Sequence, residues 1–405
     1  MRKSARAVLL LFAFTIPWEY SLDLGAPWGN IARVVGLILL LVTELAILQA
    51  GSLRRPGPLQ WATLALFLWL CCSSLWSVTP EMTGTKLRGY FQEMMLVWLV
   101  WELLETPADL RNLLRAWLAG SWVLAILTIA NFVMNDPALS GQIRFVAAGQ
   151  DPNEVARYID LGFPVAALLL DGQERWPGRF LAAGYVPFGF VCVLLTASRS
   201  GFLVAVLALL GCGAILFQRS SRALVAGSFV LPALAGLVWV IAPHETLLRL
   251  GTIAEQLQNA DLNQRLNIWT AGWHAFISAP ILGHGTGSFV AAAGLAPEDT
   301  AHNTPLSIVV EGGLVELALA AAIVAYSLKA LLRMTGLLRI ALFTGLVAWL
   351  ISSLVGTVGE SRMTWLLLAT IALAKRVTSE KPEELERTFP DPSRWEGTEP
   401  AAELP

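Results

Sequence analysis

The residues best suited to chemistry are Ala301-His302-Asn303-Thr304-Pro305-Leu306, followed by Glu311-Gly312-Gly313. The run sets one of only four histidines at the mouth of a hydrophobic helix, just after the longest polar loop in the chain. Imidazole exchanges its proton near neutrality, so at a boundary between bilayer and water it suits removal of a proton from a hydroxyl. Arginines recur beside the apolar stretches, at Arg144, Arg157, Arg199, Arg265 and Arg362. Guanidinium forks match phosphate oxygens through two-point hydrogen bonds, which points to a phosphate or diphosphate substrate held at headgroup level.

The elements that must position these groups are membrane helices. The 405 residues are 56% hydrophobic and only 14% charged, with a mean hydropathy of +0.61, far from a soluble domain. At roughly 20 residues per crossing, the apolar runs predict an all-α, polytopic integral membrane protein with about twelve spans. Residues 1–242 are expected to hold spans one to nine, and 243–303 a large, partly helical outer loop. Residues 304–376 are expected to hold the last three spans, the first of them over 304–328, and 377–405 a disordered tail. Arg2, Lys3, Arg6, Arg54, Arg55, Arg111, Arg115, Lys375 and Arg376 fall in one alternating set of connections, which the positive-inside rule places in the cytoplasm with both termini. The first span lacks a small-residue cleavage site after Pro17-Trp18-Glu19-Tyr20 and is read as retained.

Charges beside a span are costly unless they face a protein interior or a wet cavity, so each is a site candidate. On this topology Arg144, Asp151, Asn153, Glu154, Arg157, Asp160, Arg199, Arg265, His302, Glu311, Glu360 and Arg362 share the outer face. Plainer roles exist for each: Arg199 snorkelling from a tight hairpin, Arg265 as a solvated loop charge, Arg157 and Asp160 as a structural pair one helical turn apart. It is their joint occurrence that points to a site. Within the outer loop, Thr246 to Gln258 can form a helix, and Arg265 to Phe276 is amphipathic, with Trp269, Trp273 and Phe276 on one face. Cys71, Cys72, Cys192 and Cys212 lie inside predicted spans and suggest neither disulfides nor a metal pair. Neither a phosphate-binding GxxxxGK[ST] loop nor a DxD pair or other metal-ligand spacing occurs on the outer side. No cofactor, metal or nucleic-acid partner is therefore expected.

Four segments in order resemble the O-antigen ligase and polymerase superfamily of bacterial envelope glycosyltransferases. They are Asp151-Pro152-Asn153; Ser198-Arg199-Ser200-Gly201; Arg265 to Trp269 leading into Pro280-Ile281-Leu282-Gly283-His284-Gly285; and His302-Asn303 through Glu311-Gly312-Gly313-Leu314. The resemblance covers about the second half of the chain, and the first five spans match in hydropathy only. It implies a helical chamber and a large periplasmic loop in the bacterial inner membrane, acting on glycans carried by undecaprenyl diphosphate. His302 would be the catalytic base, and Arg199 with Arg265 the diphosphate-binding pair. Further expected substrate contacts are Arg144, Asn153, Arg157, Asn303, Glu311 and Arg362.

The chemistry is consistent with that resemblance. Outside the cytoplasmic membrane no nucleotide triphosphate drives a reaction, so the donor must arrive activated, as a lipid diphosphate sugar is. Fixed guanidinia would stabilise the leaving diphosphate. Neutral His302 would deprotonate an acceptor hydroxyl attacking the anomeric carbon, giving inversion, and Asn303 would orient the ring. A ligase delivering glycan to lipid A-core is favoured by the His-Asn and Glu-Gly-Gly run following a single large loop. An O-antigen or exopolysaccharide polymerase and a protein O-glycan ligase remain alternatives. A transporter also fits twelve spans, but it calls for paired halves and broken helices with polar groups near the midplane. A non-enzymatic scaffold has no positive feature in the sequence. His284 has no expected role.

Overall fold

The computed structural model describes residues 1–135, 144–170, 176–219, 265–297 and 299–389, with a few single positions between 220 and 264. Among these residues the chain is helical and contains no β-strand. The helices run α1 (Arg2–Thr15), α2 (Ile31–Ala50), α3 (Pro58–Ser73), α4 (Pro80–Leu103), α5 (Pro107–Val133), α6 (Pro152–Leu169), α7 (Trp176–Leu195) and α8 (Arg199–Arg219). C-terminal to residue 264 follow α9 (Arg265–Ser278), α10 (Phe289–Ala292), α11 (Thr304–Glu311), α12 (Gly313–Leu332), α13 (Gly336–Leu354), α14 (Arg362–Glu380) and α15 (Pro382–Thr388). The expected span 223–242 and the helix expected over 246–258 lie outside the described residues.

Six of the described helices are long and apolar enough to cross a membrane: α2, α5, α7 from Gly178, α8, α12 and α13. The molecule is therefore an all-α protein with several membrane-spanning helices. The other expected spans that fall within the described residues are occupied by shorter or more polar helices. Two of these, α6 and α14, are buried along nearly their whole length. Alpha6 packs against α5, α7, α8 and α13, and α14 against α4, α5 and α12. A helix enclosed by other helices needs no uniformly apolar surface, which is why these two can carry Tyr158, Asp160, Arg362 and Arg376.

Three expectations are corrected. The first predicted span, 7–24, is a 14-residue helix that gives way to a 3-10 turn at Ile16–Ser21, where Pro17 stands. The predicted span 304–328 is two helices, broken between Glu311 and Gly313. Gly313 has φ +67°, and a Cβ there would lie 2.1 Å from the Ile281 carbonyl oxygen, so only glycine fits. The tail does not become irregular at 377. Helix α14 runs on to Glu380, α15 follows, and Phe389 is buried beneath the Arg111 guanidinium.

The helices set two charged groups apart. At one end Arg2 bonds Glu102 at 2.9 Å, Arg6 and Arg54 each bond Glu105 at 3.0 Å, and Arg376 lies over the Trp101 ring. At the other end Arg362 pairs with Glu19, and Lys86 with Glu311 and Glu360 at 3.3 and 2.6 Å. Because α4 contributes Lys86 to one end and Glu102 to the other, and α14 contributes Arg362 and Arg376, these groups lie at opposite ends of the bundle. These two groups of ion pairs are therefore separated in space.

Candidate active site

Each sequence motif is held by another. Asp151 caps α6, accepting from the backbone N–H groups of Asn153 and Glu154 at 2.8 and 3.2 Å. The Asn153 Oδ1 accepts hydrogen bonds from Ser198 Oγ at 2.9 Å and Arg144 Nη2 at 3.1 Å, while Arg144 Nε donates to the Thr196 carbonyl at 2.9 Å. Buried Arg144 and half-buried Asn153 thus brace the hairpin that ends at Arg199. Ala197, in that hairpin, has φ +49°.

The second pairing joins α9, the loop after it and the helix break. His284 and Gly285 donate their backbone N–H groups to the carbonyls of Val310 and Glu311 at 2.9 and 2.8 Å. Leu314 donates to the Pro280 carbonyl at 2.9 Å. Trp69 Nε1 donates to the Gly312 carbonyl at 3.0 Å. The carbonyls exposed by the break are therefore taken up by protein. His284 now has a place: its Nε2 lies 2.9 Å from the Ala275 carbonyl and 3.2 Å from Ser278 Oγ, fastening the end of α9.

The third pairing sets His302. Trp269 Nε1 on α9 donates to the Ala301 carbonyl at 2.9 Å. Asn303 caps α11 by accepting from the Leu306 N–H at 2.8 Å, and its Nδ2 donates to the Leu354 carbonyl at 3.1 Å. Pinned from both sides, His302 holds φ +45°, a backbone conformation non-glycine residues seldom adopt. Its imidazole is half-buried.

Four of the expected residues converge here, together with Asp151. Burial, then the positive charges of Arg265 and Arg157, hold His302 below the usual histidine range, while Asp151 and Asp299 oppose them. Burial and the charges of Arg157 and Arg199 likewise lower Arg265, with Asp151 opposing. Arg157 bonds Glu154 at 3.4 Å and reaches the loop at Gly356, whose carbonyl accepts from Thr304 Oγ1 at 2.7 Å. Arg265 and Arg157 therefore act on a half-buried imidazole, with Arg199 acting on Arg265, Asp151 opposing the cations and Glu154 bonded to Arg157.

The other expected contacts lie elsewhere. Glu311 is buried, accepts from the Gly287 N–H at 2.6 Å and pairs with Lys86. Arg362 bonds Glu19 and, at 3.2 Å, Gln92. Both line the chamber adjoining His302 without belonging to its cluster. One lobe, about 680 Å³, runs from Lys86, Glu311 and Glu360 past Glu154 to Asp299, Thr300 and Ala301, next in sequence to His302. A second lobe, about 820 Å³, shares Tyr20, Lys86 and Glu360 with it and extends to Arg33, Arg88 and Arg362.

Arg33, Lys86, Arg88 and Glu93 line the chamber without being among the residues expected from sequence. The available signal was their position at the outer ends of apolar spans, where an ionisable group is costly. They were obscured because the first five spans carry no recognisable motif.

No curated protein matches the chain. Residues 185–321 match the family model described as O-antigen ligase, a stretch that includes Arg199, Arg265, His302 and Glu311. Over that stretch the chain is similar to the O-antigen ligase family.

Proposed function

We propose that this protein transfers a glycan from undecaprenyl diphosphate to a sugar hydroxyl of lipid A-core, at the periplasmic face of the bacterial inner membrane. The observation that carries the reading is the convergence of His302 with Arg157, Arg199 and Arg265 beside a large chamber. A half-buried imidazole whose proton affinity is lowered first by burial and then by Arg265 and Arg157 is neutral at physiological pH and free to accept a proton. Crowded guanidinia favour an anion between them, and a diphosphate supplies one.

In the proposed step the acceptor oxygen attacks the anomeric carbon as its proton passes to His302. The bond from that carbon to the diphosphate oxygen breaks, and undecaprenyl diphosphate leaves with the electron pair. Attack opposite the leaving group inverts the anomeric centre. Arg199 and Arg265, with Arg157 beside them, meet the charge that develops on the leaving oxygen, so the reaction needs no metal.

The test is transfer by purified protein in lipid bilayers, supplied with undecaprenyl-diphosphate-linked glycan and lipid A-core in EDTA. Transfer is expected to persist in EDTA and to fall about 10²- to 10⁴-fold in a folded His302→Ala protein. Loss of either Arg199 or Arg265 is expected to cost about 10²- to 10³-fold. Extension of the carrier-linked glycan in place of transfer to the core would make the protein a polymerase. Substrate uptake with no new glycosidic bond would overturn the enzymatic reading in favour of a transporter.

A further inference from the structure

An apolar groove of about 140 Å³ runs along the outside of the bundle between α1, α2 and α4, remote from the His302 cluster. Its walls follow helical spacing, with Leu37 and Leu40 from α2 and Phe91, Met95 and Leu99 from α4. Phe12 forms the floor. The groove exists because position 36 has no side chain: a Cβ there would approach the Phe12 ring to 3.2 Å. Leu37 and Phe91 are 50% and 46% exposed, so the groove is open to the surrounding lipid.

The groove does not end in apolar surface. Arg33, Gln92 and Arg362 close it at the His302 end, and these same residues line the 820 Å³ lobe of the chamber. Arg362 is neutralised by Glu19, whereas neither Arg33 nor Arg88 takes part in an ion pair among the described residues. Hydrocarbon groove, the cations Arg33 and Arg88, and polar chamber thus follow one another, with Asp23 and Glu93 also lining the lobe, and the chamber reaches Ala301 at its far side.

We infer that this groove binds a hydrocarbon chain of a phosphorylated glycolipid, whose phosphate rests on Arg33 and Arg88 and whose sugars enter the chamber toward His302. The inference rests on the transferase reading above and names its acceptor side: the acceptor is lipid-anchored and is held from α2 and α4, across the chamber from Arg199 and Arg265. Charge complementarity selects a phosphorylated headgroup. The chamber's size selects a saccharide over a small phospholipid headgroup.

Native mass spectrometry of the purified protein tests binding without requiring catalysis. The probes are lipid A-core, the same lipid enzymatically dephosphorylated, and phosphatidylglycerol. Wild type is expected to retain lipid A-core at least tenfold better than either of the others. Leu37→Trp, which fills the groove, and Arg33→Ser should each lower that retention at least tenfold. Leu48→Trp, on α2 outside the groove where Leu48 is 77% exposed, serves as the folding control and should retain it as wild type does. In the transfer assay, the preference for intact lipid A-core over its lipid-free saccharide should narrow at least tenfold in Leu37→Trp, through KM and not kcat. Equal retention by the groove variants, or equal retention of phosphatidylglycerol by wild type, would overturn the inference. Selective retention by a wild-type protein that forms no glycosidic bond would uphold the groove and remove the transferase reading instead.

Discussion

His302 offers a sharp test because its neighbours push its proton affinity in known directions. Burial comes first, Arg265 second, and both favour the neutral ring; Asp151 works against them. A protonated imidazole cannot accept a proton, so kcat/KM falls as pH drops through the His302 pKa, and the depressed pKa places that acid limb below the ordinary histidine value of about 6.5. Arg265→Gln removes a cation that holds the pKa down, so on the residual activity the limb should move up. Asp151→Asn, which keeps a capping side chain on α6, removes an opposing anion, so the limb should move down. A pH profile of the three proteins checks both signs, and a limb unmoved by either change would exclude His302 as the titrating base. Residue type and order single out His302, Arg199 and Arg265 in the sequence as candidates. It could not separate Arg157, which shares their cluster, from Arg144 and Asn153, which brace it, because that distinction depends on which partner each side chain meets after folding.

The glycines at 283 and 313 have an element-scale cause: the loop after α9 and the break between α11 and α12 are built against each other. Gly283 and Gly313 both have positive φ, and a Cβ on either would strike backbone of the other segment. Gly313→Ala should therefore cost about 1–3 kcal/mol from backbone conformation alone, before the contact with the Ile281 carbonyl is counted. Its thermal unfolding midpoint in detergent should drop, and transfer with it, because the loop also seats α9 and hence Arg265. Gly345→Ala is the control. That glycine is in the middle of α13 with only Leu367 at 3.5 Å, so alanine should be neutral or slightly stabilising. Hydropathy found the apolar stretch 304–328 but not its interruption, since Glu311-Gly312-Gly313 is too short a polar run to lower a window average. The same averaging overestimated the apolar surface needed by α6 and α14, which are shielded from lipid by their neighbours.

At the scale of the molecule, the charged ends define an axis, and each end supports its own prediction. Beyond α14, α15 packs back on α5 and α14 and delivers Phe389 to a buried site 5.5 Å below Arg111. Burial of such a ring is worth roughly 2–3 kcal/mol, so Phe389→Ala should lower the unfolding midpoint without altering KM for either substrate. This packing was illegible because one aromatic residue in a run rich in Glu and Pro carries no periodic signal. The proposed orientation in the membrane rests on the arginines. Arg2, Arg6, Arg54, Arg111 and Arg376 gather at the end remote from His302, as basic residues retained in the cytoplasm do. A cysteine placed at Thr300, an exposed residue lining the chamber, should therefore react in intact spheroplasts with a membrane-impermeant maleimide. A cysteine at Glu383 on α15 should react only after the membrane is opened. Both belong in a background with Cys71, Cys72, Cys192 and Cys212 replaced by alanine or serine, since Cys72 is itself exposed. The reverse pattern would turn the chamber toward the cytoplasm, where nucleotide-activated donors are available, and the case for a lipid diphosphate as the necessary source of driving force would fail with it.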